Sequence, residues 1–159
     1  MQTFDDFTFA GGSSIRQVAW QGIYCVPQNN SATPAPTASA FVVSFYPDQA
    51  GRPNVGAPIG SITLPVAQVN QTSNGAFGNA TCDGAAGTSW ALYSYSAVLP
   101  ASLPAAAGTR YWFSVQAVTP SASVAWGWRQ GTLDNRSSIT IKGAQVFLST
   151  IDRAFALTP

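Results

Sequence analysis

Apolar and polar residues alternate with a period of two from one end of this chain to the other, and no window longer than ten residues carries an apolar stripe at helical spacing. A side-chain period of two is that of a β-strand with one buried face, so the chain must be built from strands. The strongest runs are Asp5 to Phe9, Ile15 to Tyr24, Ala40 to Tyr46, Ile59 to Val69, Trp90 to Leu99, Thr109 to Val118, Val124 to Gln130, Ile139 to Leu148 and Phe155 to Thr158. Within Ala40 to Tyr46 the pattern turns Phe41, Val43 and Phe45 inward. Gly11-Gly12-Ser13, Pro27 to Pro36, Pro47 to Pro53, Pro104 to Gly108 and Thr119-Pro120-Ser121 supply turn signals between the runs, at sandwich-like spacing. Ala101 to Ala107 has room for one helical turn at most, so no crossover helix can make the strands parallel. The expectation is an all-β, antiparallel, two-sheet sandwich of eight or nine strands, forming a single domain over residues 1–159.

The surface of this sandwich is polar but weakly charged. Only 8% of residues are charged, against about 25% in an ordinary soluble domain. There is no glutamate, a single lysine (Lys142), six arginines and six aspartates, giving a net charge of +1. Without a basic run there is no footprint for a phosphate backbone, and no apolar stretch reaches the length of a membrane span. Nucleic acid and membrane insertion are therefore not expected. Met1-Gln2-Thr3-Phe4-Asp5-Asp6 lacks the basic and apolar regions of a signal peptide, and reads either as the start of a mature domain carrying an added Met, the favoured expectation, or as that of a protein never exported.

Cys25 and Cys82 lie in turn-like surroundings that suit a disulfide, which would close a loop of about 58 residues and stabilise by roughly 4 kcal/mol. Two unpaired thiols are the simpler alternative. Glycosylation sequons begin at Asn29, Asn70, Asn79 and Asn135, all in expected loops.

Several segments in order carry a family likeness. They are Asp5-Asp6-Phe7-Thr8, Val18-Ala19-Trp20-Gln21-Gly22-Ile23-Tyr24, the stretch Phe41 to Pro53, Tyr93-Ser94-Tyr95, the stretch Ala107 to Val115, Trp126-Gly127-Trp128, and Ala154-Phe155-Ala156-Leu157-Thr158. Together they resemble a β-sandwich domain of secreted and surface-anchored bacterial proteins, including ones with exosortase-type sorting tails. The resemblance implies a jelly-roll-like fold akin to carbohydrate-binding modules, an extracellular or cell-surface location, and no established chemistry. No sorting tail follows Pro159, so anchoring is not carried over.

The chain has no histidine, which removes the usual general base of serine and cysteine nucleophiles and the commonest transition-metal ligand. Two distant cysteines make no zinc site, and no phosphate-binding glycine loop or nucleophile elbow is present. Paired carboxylates can hydrolyse glycosides, but the six aspartates read as turn residues. The chain is expected not to be an enzyme.

Candidate binding residues are aromatic. Trp126 and Trp128 are two apart on one strand and share a face, with Arg129 on the other; such rings offer a sugar an apolar platform, while a sandwich interior demands large rings as well. Trp20, Trp90 and Trp112, the last on the same face as Ser114 and Gln116, and the pair Tyr93 and Tyr95 carry the same ambiguity. Adjoining terminal strands, as in jelly rolls, would bring Asp5 or Asp6 near Asp152 and supply oxygen ligands for a structural Ca²⁺. Otherwise no cofactor is expected.

Two functions compete. One is a non-catalytic extracellular module that binds carbohydrate through surface aromatics. The alternative is a structural or adhesive subunit of an extracellular filament, surface layer or virion, whose neutral surface packs against copies of itself at little desolvation cost.

Overall fold

The computed structural model describes residues 1–26, 38–82, 85–119, 125–131 and 138–159, the side chains of 25, 26, 76–82, 85–90 and 125 excepted. Eleven strands are present among the described residues: β1 (Gln2–Thr8), β2 (Ser13–Val26), β3 (Ala40–Pro47), β4 (Gly60–Pro65), β5 (Asn70–Cys82), β6 (Ala85–Ala105), β7 (Arg110–Val118), β8 (Ala125–Trp128), β9 (Ser138–Lys142), β10 (Gln145–Ser149) and β11 (Phe155–Thr158). A six-stranded sheet runs in the order β10-β9-β1-β7-β3-β4 and a five-stranded one contains β11-β2-β6-β5, with β8 also paired to β2. All pairings are antiparallel, as expected of an all-β sandwich.

Three local expectations are corrected. Asn70-Gln71-Thr72-Ser73-Asn74-Gly75 opens β5 although it reads as loop, because a polar edge strand needs no apolar face; Asn70 and Asn79 therefore lie in a strand. The single run Ile139 to Leu148 is two strands, folded back at Gly143-Ala144, where Gly143 has φ of 59° as a two-residue hairpin turn requires. The supposed helical turn over Ala101 to Ala107 begins within β6. Pro100, which cannot donate to a ladder, falls where the β2–β6 register shifts.

The main core is aromatic. Phe41 and Phe113 are wholly buried, and Trp20 and Tyr95 stack at 5.3 Å between ring centres and 13° between planes. Phe41 packs edge-on against Trp20 at 5.2 Å and Trp126 at 5.7 Å, a geometry that adds to the area burial of each ring. Trp112 points the other way from Phe113 and Val115, as its place in the alternation demands, and joins Phe4, Tyr46 and Ile139 in a second buried cluster. Its indole Nε1 donates to Asp48 Oδ1 at 2.8 Å.

Gly22 lies under this packing, where an added Cβ would collide with the indole of Trp126. Gly22→Ala is expected to destabilise by about 1–3 kcal/mol through overpacking, read as a lower midpoint of urea unfolding with an unchanged slope. An unaltered midpoint would show that the Trp126 ring moves aside freely.

Candidate functional site

The strand pattern carries both charge and aromatic rings to one cleft of about 970 Å³, walled by the end of β1, the start of β7, β11 and the middle of β2. Seven basic and six acidic residues make up all the charge of the chain, and six of these thirteen line this cleft: Asp5, Asp6, Arg110, Arg129, Asp152 and Arg153. In so weakly charged a protein such a concentration is notable, and its formal charges are three negative and three positive, the Asp5 charge being lost as pH falls below about 7.

Backbone hydrogen bonds fix the wall. Gln21 donates its N–H to Ala154 O at 3.1 Å, Ala154 to Arg129 O at 3.0 Å, Arg129 to Gln21 O at 2.9 Å, and Gly131 to Asp152 O at 2.8 Å. A side chain at position 131 would stand 2.8 Å from Arg153 O, so only glycine permits this approach. On this frame the exposed Arg129 guanidinium donates to Gln21 Oε1, and Gln21 Nε2 donates to Ser94 Oγ at 3.2 Å. At the opposite wall Arg110 Nε lies 3.4 Å from Asp6 Oδ2.

Asp5 holds the two walls together. It is 1% exposed; Oδ1 accepts from the N–H of Asp6 at 3.0 Å, and Oδ2 accepts from the N–H of Arg153. Burial pushes its carboxyl up to about 7, and the nearby charges of Asp152 and Asp6 push in the same direction against those two hydrogen bonds. Burial also lowers the Arg153 guanidinium, while Asp5 opposes that shift.

Two donors in the lining have no hydrogen-bond partner among the described residues: the indole Nε1 of Trp20, a residue only 2% exposed, and the Nε of Arg153. A buried donor left unpaired costs about 1–3 kcal/mol.

The expected site residues divide between core and cleft. Tyr95, Arg129, Asp6 and Asp152 line the cleft, although Tyr95 is mostly buried under Trp20. Trp128 is 7% exposed against Phe113 and Phe155, and Trp112 and Tyr93 are buried too. Trp126 is half-buried, with its Nε1 3.4 Å from Tyr95 Oη. Trp126 and Trp128 share a face as expected, but it is the inward face, so they form no open platform.

Asp5 and Asp6 lie within β1, not at a turn. Nor are the terminal strands neighbours: β1 belongs to one sheet and β11 to the other, and the approach of Asp152 to Asp5 comes from the segment just before β11. No group of three or more His, Cys, Asp or Glu able to hold a metal occurs among the described residues.

The side chains of Cys25 and Cys82 lie outside the described residues, as do Asn29 and Asn135. Along the backbone Cys25 faces Trp90 of β6, and Cys82 faces Ala85 of the same strand.

Arg110, Arg153 and Gln21 are cleft residues that no sequence pattern singled out, whereas Trp20 was among the aromatic candidates. Arg153 beside Asp152 was the available signal, since an Arg-Asp pair is rare in a chain with thirteen charges. The family model for a domain of unknown function, DUF7901, matches residues 3–156. No curated protein and no solved structure matches the chain.

Proposed function

The chain belongs to the DUF7901 family, and we propose that it is a non-catalytic extracellular binding module that takes a neutral, hydroxyl-rich ligand of the glycan class in the cleft between Asp6 and Arg129. The observation that carries this reading is a cleft that gathers six of the chain's thirteen charges with opposite signs interleaved, backed by two buried donors without a partner among the described residues, Trp20 Nε1 and Arg153 Nε. Sugar hydroxyls both accept and donate. They suit a wall on which Arg110 and Arg129 are exposed donors, with Trp20 and Arg153 buried behind it. Phe7 and Phe155 add apolar edges for the C–H faces of a ring. A strongly anionic or cationic ligand would meet as much repulsion as attraction.

The Asp5 carboxyl is raised toward neutrality, the sort of shift that also marks general acids. Its two oxygens are already engaged by the N–H groups of Asp6 and Arg153, which supports a structural clamp and not a proton donor to substrate.

Calorimetric titration with a panel of neutral oligosaccharides tests the reading. At least one member should bind, and Arg129→Ala should weaken it about 10-fold or more, since a hydrogen bond to a charged group contributes about 1.5–3 kcal/mol. Arg129 is exposed, so the variant keeps its fold. Absence of binding across the panel, or equal affinity in the variant, overturns the proposal; release of new reducing ends would replace it with a hydrolase.

A further inference from the structure

We infer that β10 is a self-association edge through which two copies of this chain pair, strand against strand, about a two-fold axis. On this edge strand of the six-stranded sheet Val146, Phe147 and Leu148 are consecutive and are 37%, 50% and 74% exposed. Sheet edges present unpaired N–H and C=O groups, and proteins usually guard them with charges, proline or bulges. Gln145–Ser149 carries no charge and no proline, and its pairing with β9 runs without a register shift. The other edges among the described residues are less inviting: β4 ends in Pro65 and has Ser61 and Thr63 between its apolar residues, β5 begins Asn70-Gln71-Thr72-Ser73, and β8 and β11 are four residues long each.

The occupant follows from the strand's own pattern. Gln145-Val146-Phe147-Leu148-Ser149 reads polar, aliphatic, aromatic, aliphatic, polar in either direction. An antiparallel copy centred on Phe147 sets Phe147 against Phe147, Val146 against Leu148 and Gln145 against Ser149, so every cross-strand pair joins like with like. The contact would also be continuous with apolar packing that already exists. Leu148 faces Ile139, and Ile139 faces Phe4, so pairing of the edges extends the cluster of Phe4, Tyr46, Trp112 and Ile139 across the axis. Charge does not oppose it, because the chain carries a net +1 and the hairpin bears only Lys142. A five-residue edge spans about 17 Å and falls short of a standard interface, so the dimer is weak and concentration-dependent.

Sedimentation equilibrium of the full chain, from about 10 µM to about 1 mM, tests this. The weight-average mass should climb toward twice the monomer for the unaltered protein and stay at the monomer for Leu148→Lys. Phe147→Lys provides a second reading on the opposite face of the same strand, with the same monomeric result expected. Both side chains are exposed, so each variant should retain the circular dichroism of the parent. A strictly monomeric parent over the whole range overturns the inference, as does a parent dimer that both lysine variants form equally well. The cleft lies elsewhere, so glycan affinity and self-association can each fail without the other.

Discussion

Replacing Trp128 with alanine lowers the unfolding free energy by about 3–5 kcal/mol, the cost of removing a large ring from a packed interior. The ring is 7% exposed, meets Phe113 edge-on at 5.5 Å and Phe155 at 5.8 Å, and its Nε1 donates to Ala154 O at 3.0 Å. Truncation therefore opens a cavity and removes one of the two hydrogen bonds that Ala154 O accepts, the one from the Gln21 N–H remaining. In a domain of this length a loss of that size lowers Tm by roughly 10 °C. Thermal unfolding followed by circular dichroism checks this. A tryptophan serving only as an external sugar platform would shift Tm by no more than about 1–2 °C, because surface substitutions usually stay within about 0.5 kcal/mol.

The second large effect is a dependence of stability on pH that runs opposite to ordinary acid denaturation. The Asp5 carboxyl titrates near 3.8 when unfolded and at about 7 when folded. Between those values the folded state holds a proton that the unfolded state has released. The stabilising contribution is thus complete below about pH 4 and lost as pH rises through about 7, by at most ~4 kcal/mol at about 1.4 kcal/mol per unit. Desolvation drives the shift; Asp152 and Asp6 reinforce it, and the N–H groups of Arg153 and Asp6 oppose it. Asp5→Asn removes the titrating group and should flatten the Tm profile between about pH 4 and about pH 8, with its amide losing one of the two backbone donors. Parallel profiles for parent and variant would show that Asp5 is not the group responsible.

The difference between what could and could not be read from the chain is physical. β3 and β7 were legible because each has one buried face, so Phe41, Val43 and Phe45, and likewise Phe113 and Val115, impose the period directly. The first residues of β5 carry no such signal, since a polar edge strand is fixed by its partner β6 and not by its own pattern. The aromatic pair was read to the correct strand and the correct shared face. Alternation does not say which face is inside, and for Trp126 and Trp128 the answer came from Phe41, Tyr95, Phe113 and Phe155.

The cleft was least legible. Asp5 reaches Arg153 across 148 positions, and Arg129 reaches Gln21 across 108, so no local spacing could reveal either contact. What the composition did supply was scarcity. Thirteen charges in 159 residues make any gathering of them informative, and six gather here.

The two donors without partners give the most direct test of the binding reading. A ¹⁵N-correlation spectrum resolves tryptophan indole N–H signals and the Nε–H of arginine, and a titration with the tightest neutral oligosaccharide of the panel can follow them together. The Trp20 indole and the Arg153 Nε–H should shift in step with ligand, while the indoles of Trp112 and Trp128, already donating to Asp48 and Ala154, stay in place. A bound ligand that moves Trp112 or Trp128 and leaves Trp20 and Arg153 unchanged would contradict the binding reading.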